Sequence, residues 1–466
     1  MSDLDPIPTK VHLIGAGGAG MSGLAKLLSQ MGHVVTGSDV KPSRMLDSLQ
    51  DVGVTIWVGH RPEAVADAEL VVVSSAVPDR DPEIAAAKTK GIPVWERPRL
   101  LAALTARMPT VGLAGTHGKT TSTAIAVSAI RGIGMDPSFL VGGEMVGLNT
   151  GAHLGAQELF VLEADEAFGT FRHLDLQALL VTNVESDHLD YYGTLASLED
   201  AFAQVASRVA GPRIACIDDA GVRRLAQRVP MLTYGFSANA DWRIVNHHHT
   251  EGGQEFDLTG PSTDVRVVLP KPGDHLASNA AGVLALVNEL GLDIEGAAGA
   301  LAGFAGVRRR YEIRGVVGGV TIVDDYAHHP TEVAATIAAA KLSTTGRVIA
   351  VFQPHRYTRT ADLGPQFGAP LALADEAIVT DVYAAGEVPM IGVSGRIVAA
   401  ATRAAGGTAT YVTDLHDIAP KVATVAEPGD VVLLLGAGDI TTAARSVATA
   451  IEASTTDNRQ PTHDER

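Results

Sequence analysis

The sequence predicts an α/β protein of three successive domains, and three observations carry that prediction. Short apolar runs that read as buried strands alternate with stretches at helical spacing. Two of the strands run directly into glycine-rich loops that open helices, at Gly15 to Gly20 and at Gly115 to Thr121. At 466 residues the chain is too long for one hydrophobic core, and a size of about 150 residues per domain makes three.

The first domain is read as 1–108. Residues 11–14 are a short apolar strand, Gly15-Ala16-Gly17-Gly18-Ala19-Gly20 satisfies GxGxxG, and 21–31 is helical. A second strand, 33–37, ends at Asp39, which makes the set a dinucleotide-binding fingerprint by the sequence rule alone. Residues 70–74 form a further strand ending in Ser74-Ser75, and 83–90 a helix. A packing role for the glycines, with no ligand, is the alternative.

The central domain, 109–310, opens on the most informative stretch of the chain. The apolar strand 110–114 leads into Gly115-Thr116-His117-Gly118-Lys119-Thr120-Thr121 and a helix over 121–130. Strand, glycine loop, lysine, hydroxyl and helix together cradle nucleotide phosphates. Loop amides and the helix N-terminus favour negative charge, Lys119 reaches the β/γ-phosphates, and the Thr120 hydroxyl suits magnesium. The strict motif has glycine where this chain has Leu113. Downstream, an apolar strand ends in Glu163-Ala164-Asp165-Glu166, and the strand 178–181 leads into Thr182-Asn183-Val184-Glu185-Ser186-Asp187-His188. Acids and a histidine at strand ends beside a phosphate loop suit a metal ion. The run His247-His248-His249 reads instead as an exposed hairpin loop, since neighbouring side chains in a strand face opposite ways and do not chelate together. His275 begins a helix that carries Asn279 near its start.

The third domain, 311–455, alternates strands at 320–323, 348–352, 376–380 and 431–435 with helices, which predicts a mainly parallel sheet. Polar clusters sit at the strand ends, where open α/β sheets bind ligands: Asp324 to Pro330, Gln353 to Thr360, and Gly436 to Asp439. A polar, disordered tail is expected from about Ser454 and over 456–466.

Composition narrows the function. The net charge of −17 argues against a general nucleic-acid binder. No apolar run reaches the roughly 18 residues that cross a bilayer, and the acidic N-terminus lacks an apolar signal core. One cysteine, Cys216, excludes an internal disulfide and fits a cytoplasmic setting; it reads as a buried small residue rather than a nucleophile.

Taken in order, GTHGKTT, EADE at 163–166, TNVESDHLD at 182–190, RRRYE at 308–312, DDYAHHPTEV at 324–333, QPHRYTRT at 353–360 and DVYAAGE at 381–387 resemble the Mur ligase family over nearly the whole chain. The resemblance implies a Rossmann-like UDP-binding domain, a P-loop ATPase-type central domain and a Rossmann-like C-terminal domain. It implies a UDP-sugar, rather than NAD, on Gly15, Gly17, Gly18 and Gly20, with Ser38, Asp39, His60, Ser74 and Ser75 as further contacts. ATP would meet Gly115 to Thr121, His275, Asn279 and Arg310, and Mg2+ would meet Thr120, Glu166 and His188. L-alanine would meet Tyr326, His328, Arg356 and Arg359. The implied reaction joins L-alanine to UDP-N-acetylmuramate through an acyl phosphate, with Lys119, His117, His328 and Arg356 closest to the chemistry. Two departures stand out. The family's usual Ser-Asp after ADE is Ala167-Phe168 here, and the first Asn of its adenine pattern is absent after His275. A peptide-recycling ligase, an NAD enzyme fused to an ATPase and a non-catalytic sensor are the competing readings. Monomer and homodimer both remain open.

Overall fold

The computed structural model describes residues 6–261 and 263–457. The chain divides into two compact units. One comprises residues 1–247, 256–268 and 277–305, and the other 248–255, 269–276 and 306 onward.

The first unit holds two sheets. Strands β1 (Lys10–Ile14), β2 (Val34–Asp39), β3 (Thr55–Val58), β4 (Leu70–Val73) and β5 (Val94–Glu96) form a parallel sheet in the order β3-β2-β1-β4-β5. The glycine loop therefore leaves the central strand, where the order reverses and a crevice opens at the strand ends. The helix Ala19–Gln30 turns Met21, Leu24, Ala25, Leu27 and Leu28 inward, as its apolar spacing dictates.

The second sheet takes up β6 (Thr110–Ala114), β7 (Pro137–Met145), β8 (Thr150–His153), β9 (Gln157–Glu163), β10 (Ala178–Val181), β11 (Arg213–Cys216), β12 (Leu232–Gly235), β13 (Trp242–Thr250), β14 (Gly253–Thr259) and β15 (Asp264–Leu269). Its order is β15-β14-β13-β12-β11-β10-β6-β9-β7-β8. The phosphate-loop strand β6 lies between β10 and β9, parallel to both. That register brings the Gly115 loop, the acids after Glu163 and the Thr182 segment to one edge. Every residue of β6 is buried, which explains its continuous apolar reading.

The second unit centres on β16 (Glu312–Val317), β17 (Val320–Asp325), β18 (Val348–Phe352), β19 (Glu376–Val379), β20 (Ala409–Tyr411) and β21 (Val431–Leu435), in the order β16-β17-β21-β18-β19-β20. All pairs are parallel except the β16–β17 hairpin. Alternate residues of one strand feed two cores, Val323, Phe352 and Leu433 on one face and Ile322, Val351 and Leu434 on the other.

Two sequence expectations are corrected. His247-His248-His249 lie inside β13, which runs to Thr250, and only the turn around Glu251-Gly252 separates it from β14. Gly252 takes a positive φ of 83° there, so a short turn suffices. The helix Ala443–Asp457 continues past Ser454, where the polar tail was expected to start; residues 458–466 lie outside the described residues. Cys216 is buried, 3.5 Å from the Ser278 hydroxyl. Among the described residues no helix is long and apolar enough to cross a membrane.

Candidate active site

The phosphate loop is held open by its own backbone. Gly115 has φ +131°, and a Cβ there would lie 2.1 Å from Thr182 Oγ1 and 3.0 Å from the Asn183 amide nitrogen. Only glycine fits. Gly118 (φ +82°) precedes the helix Lys119–Gly132 as an N-cap with no side-chain hydrogen bond, so the first-turn amides are left for a ligand. The neighbouring strand end fixes the rest: the His117 amide donates to Asn183 Oδ1 (2.7 Å), and the His117 carbonyl accepts from Thr182 Oγ1 (2.6 Å). His117 Nε2 stands 3.4 Å from a Glu185 carboxylate oxygen. Thr116 exchanges hydrogen bonds with the Glu185 backbone. Asn279 is buried against Gly118, with its amide group 3.1 Å from where a Cβ would stand.

Lys119 is the electrostatic centre. Its Nζ donates to Glu166 Oε1 (2.9 Å) and Oε2 (2.8 Å) and to the Gly115 carbonyl (2.7 Å), with Asp165 3.6 Å away. Burial works against its charge, yet Glu166, Asp165 and Glu163 outweigh that and raise its pKa above the usual lysine value. Burial raises the Glu166 and Glu163 carboxyls, opposed chiefly by Lys119 for Glu166 and by the Gly142 amide and Thr120 for Glu163. Asp165, also opposed by burial, is held low by Lys119, Arg97 and His188.

One ligand atom each from Asp165, Glu166 and His188 falls within 4.8 Å of the others. The two carboxylates at this strand edge supply the oxygen donors that magnesium takes, with the imidazole beside them. Thr120, the remaining candidate ligand, bonds to Glu163. Asp165, one of the strand-end acids read as suited to a metal, is not among the ligands Thr120, Glu166 and His188 that the resemblance implies.

The Ala167-Phe168 departure leaves no polar gap in the loop. Phe168 takes a left-handed conformation (φ 53°) and stands exposed, edge-on to Tyr191. Backbone bonds from Gly169 to the Glu166 carbonyl and from Phe171 to the Asp165 carbonyl close the turn. The Tyr192 hydroxyl adds a 2.6 Å bond to the Glu166 carbonyl.

The other glycine loop is partly occupied by its own protein. The Gly15 and Ala16 amides donate to the Ser38 carbonyl, each at 2.9 Å, and the Gly17 amide donates to Asp39 Oδ2 at 2.9 Å. The Ser38 hydroxyl is buried and given to Glu83 (2.5 Å), so Ser38 shapes the loop through its carbonyl. What remains open is the start of the helix Ala19–Gln30, whose N-cap Gly18 makes no side-chain bond. The Arg97 guanidinium lies against it, 3.1 Å from where a Cβ on Gly20 would stand. Sequence reasoning missed Arg97, because nothing local ties it to a loop so distant in sequence. His60 pairs with Asp81 at 3.0 Å. The Ser74 hydroxyl lies 3.8 Å and its Cβ 3.0 Å from a Cβ position on Gly15; Ser75 follows it in the turn after β4.

In the second unit, Tyr326, His328, Arg356 and Arg359 follow the strands β17 and β18. Arg309 and Arg310 stand 4.9 and 4.8 Å from the centre of the Tyr326 ring, and the ring meets His328 edge-on at 5.2 Å. His328 Nδ1 is 3.2 Å from Glu332, which also accepts the His328 amide. His355 lies 6.0 Å from His328 and stacks on Tyr383. Burial, with His328 and the two arginines, keeps His355 unprotonated to about pH 3. His275, against Gly273, is also lowered by burial, to about 4.

Three family models divide the chain: the Mur ligase family catalytic domain over residues 10–108, the middle domain over 113–287, and the glutamate ligase domain over 309–438. The UDP-N-acetylmuramate–L-alanine ligase of Mycolicibacterium vanbaalenii is 41% identical, across 97% of this chain and 98% of its own. The chain belongs to the Mur ligase family. Among solved Mur ligases, the UDP-N-acetylmuramate–alanine ligase of Thermotoga maritima superposes with a TM-score of 0.81 at 27% identity, covering 96% of this chain and 99% of its own. A murein peptide ligase from Psychrobacter arcticus shares the fold, with a TM-score of 0.71 at 24% identity, and likewise covers 96% and 99%.

Proposed function

We propose that this Mur ligase joins L-alanine to the lactyl carboxylate of UDP-N-acetylmuramate, using ATP and passing through an acyl phosphate. The observation that carries the proposal is the near-complete, 41% identical match to a UDP-N-acetylmuramate–L-alanine ligase. The geometry supplies the means.

ATP lies with its phosphates on Gly115 to Thr121, beside Asn279. The carboxylate of the sugar nucleotide attacks the γ-phosphorus, and ADP leaves. Two anions approach in that step, so the site must supply positive charge aimed at the phosphoryl oxygens. Lys119 supplies it once its ammonium turns from Glu166 to the phosphates, and His117 lies in the same loop. Thr120, Glu166 and His188, with Asp165 beside them, would hold a magnesium ion, whose chemistry would be to neutralise phosphate charge.

The sugar nucleotide places its diphosphate at the open helix start by Gly18 and Gly20, with the turn at Gly15 and Gly17, whose amides are held by Ser38 and Asp39, and His60, Ser74 and Ser75 around it. L-alanine places its carboxylate on Arg356 and Arg359, since guanidinium grips carboxylate bidentately. Tyr326 and His328 orient its amine, which sheds a proton as it attacks the acyl phosphate and releases phosphate. Soluble nucleotide substrates and a lone thiol fit a cytoplasmic enzyme.

The test is ADP release with Mg-ATP and UDP-N-acetylmuramate, comparing L-alanine with an L-alanine-starting tripeptide. Turnover with alanine supports the proposal. Turnover with the tripeptide alone selects the recycling reaction instead.

A further inference from the structure

The motif DVYAAGE, residues 381–387, has so far been given no part in the reaction. It packs against the segment that carries Arg356, and the two are joined at several points. The Tyr383 amide donates to the Pro354 carbonyl at 2.9 Å, and the Arg356 amide donates to the Tyr383 carbonyl at 2.8 Å. The Tyr383 ring stacks on His355, 5.7 Å between centroids and 15° between planes.

The segment then turns back through Ala385 (φ 50°) and Gly386 (φ 88°), and the Glu387 amide bonds to the Ala384 carbonyl. This fold-back brings the Glu387 carboxylate onto Arg356. Glu387 Oε1 accepts from Arg356 Nε at 2.7 Å and from the Thr358 hydroxyl at 2.6 Å, while Oε2 accepts from the Thr358 amide at 3.0 Å. Both carboxylate oxygens are therefore used on the segment 356–358.

Arg356 itself sits in a strained backbone conformation, φ 68° and ψ 136°. A non-glycine residue there needs surroundings that over-determine it. The bond to Tyr383 fixes its backbone and the bond to Glu387 fixes its side chain. An arginine has five N–H donors, and Glu387 takes the one on Nε. Of the four on Nη1 and Nη2, one shares the Nε edge and the other three point to the remaining edges of the guanidinium.

We propose that Glu387 is the positioning residue of the amino-acid site: it grips Arg356 by Nε, so that the Nη donors are held ready for the carboxylate of the incoming amino acid. The inference rests on the reading of Arg356 as a carboxylate ligand. An untethered arginine would lose side-chain freedom on each binding event; this one has lost it beforehand. The Glu387 carboxyl, although burial opposes its charge, is held down to about 2 by Thr358 and Arg356, so the grip persists at any working pH.

The experiment compares Glu387→Ala, Glu387→Gln, Glu387→Asp, Arg356→Ala and the Glu387→Ala/Arg356→Ala double variant in the full chain. It reads kcat and the KM for each substrate. Glu387→Ala is expected to raise the KM for L-alanine roughly tenfold or more, the loss that follows removal of a charged hydrogen-bond partner. The KM values for ATP and UDP-N-acetylmuramate are expected to stay within about twofold, since those groups bind elsewhere. Glu387→Asp recovers part of the loss, and Glu387→Gln keeps the volume and fold while weakening the grip. In the Arg356→Ala background, Glu387→Ala adds nothing. If the two losses simply multiply, or if Glu387→Ala leaves the alanine KM unchanged while Arg356→Ala raises it, the positioning role is overturned. An unchanged alanine KM in Arg356→Ala overturns the reading of the site itself.

Discussion

Lys119 and Glu166 form a bidentate ion pair at the mouth of the phosphate loop, with the ammonium 2.9 and 2.8 Å from the two carboxylate oxygens. On the proposed reading, a phosphate would take the lysine and a cation the glutamate. Such a pair keeps both charges compensated in a buried setting.

Replacing Lys119 by alanine removes the cation proposed to meet the γ-phosphate. Loss of one oriented charge in a site of this kind costs about 10²–10³ in rate or more. ADP release with saturating substrates is expected to fall by at least that factor, with the thermal midpoint measured alongside to show that the fold persists. Near-normal turnover would remove Lys119 from the chemistry.

Gly115→Ala tests the loop rather than the charge. The added methyl would stand 2.1 Å from Thr182 Oγ1 in a backbone region, φ +131°, that side chains avoid. ATP affinity is expected to drop at least tenfold, the equivalent of about 1.4 kcal/mol. Binding of UDP-N-acetylmuramate should be spared, because its loop follows a strand of a different sheet. Calorimetric titration of each ligand separates the two, and an unaltered ATP affinity would contradict the geometry described.

What the sequence disclosed is what local chemistry encodes. Gly115, Gly118, Lys119 and Thr120 are legible because turn, charge and helix start lie within a few consecutive residues. The acids after β9 are legible too, since an apolar strand ending in carboxylates is a local pattern. Arg97 is not, because its tie to Gly20 exists only once both have folded onto the same crevice. The sequence places Glu83 at the start of a helix and gives no sign that it is fully buried, because its partners come from three other segments. The histidines of β13 read as a loop because the pairing that makes them a strand is also supplied from elsewhere in the chain.

The lowered pKa of His275 gives the acid limb of stability a defined cause. Burial disfavours its charged form, with Asp274 and Glu332 pulling weakly the other way, and brings it from 6.5 to about 4. Between those values the unfolded chain binds a proton that the folded chain refuses, so stability falls as pH drops from 6.5 towards 4. Since one pKa unit is worth about 1.4 kcal/mol, the loss from this residue is on the order of 1–3 kcal/mol. Urea unfolding of the wild type at pH 7.5, 6 and 5 is expected to show the decline. His275→Asn should lessen the slope over that window, with His355, lowered to about 3, still contributing in the same direction, and a variant with an undiminished slope would assign the effect elsewhere.

Glu83 offers the sharpest link between the core and the sugar-nucleotide crevice. It is fully buried and accepts from Ser38 Oγ at 2.5 Å and from the Arg61 amide at 2.6 Å, with His12 Nε2 at 3.1 Å. The same Ser38 takes the Gly15 and Ala16 amides on its carbonyl, so one carboxylate braces the glycine loop, the end of β2 and the turn after His60. Burial opposes its charge, but His12, Ser38 and the Arg61 amide together hold its pKa below the usual glutamate value. Its contribution is therefore full above pH 4.5 and is lost on acidification. Glu83→Gln keeps the volume and removes the charge; the expected cost is about 2–4 kcal/mol, the range for breaking a buried hydrogen-bonded charge. Because the rim of the crevice slackens with it, the KM for UDP-N-acetylmuramate is expected to rise several-fold while the KM for ATP holds. A loss of stability that leaves both KM values unchanged would show that Glu83 supports the fold without shaping the crevice.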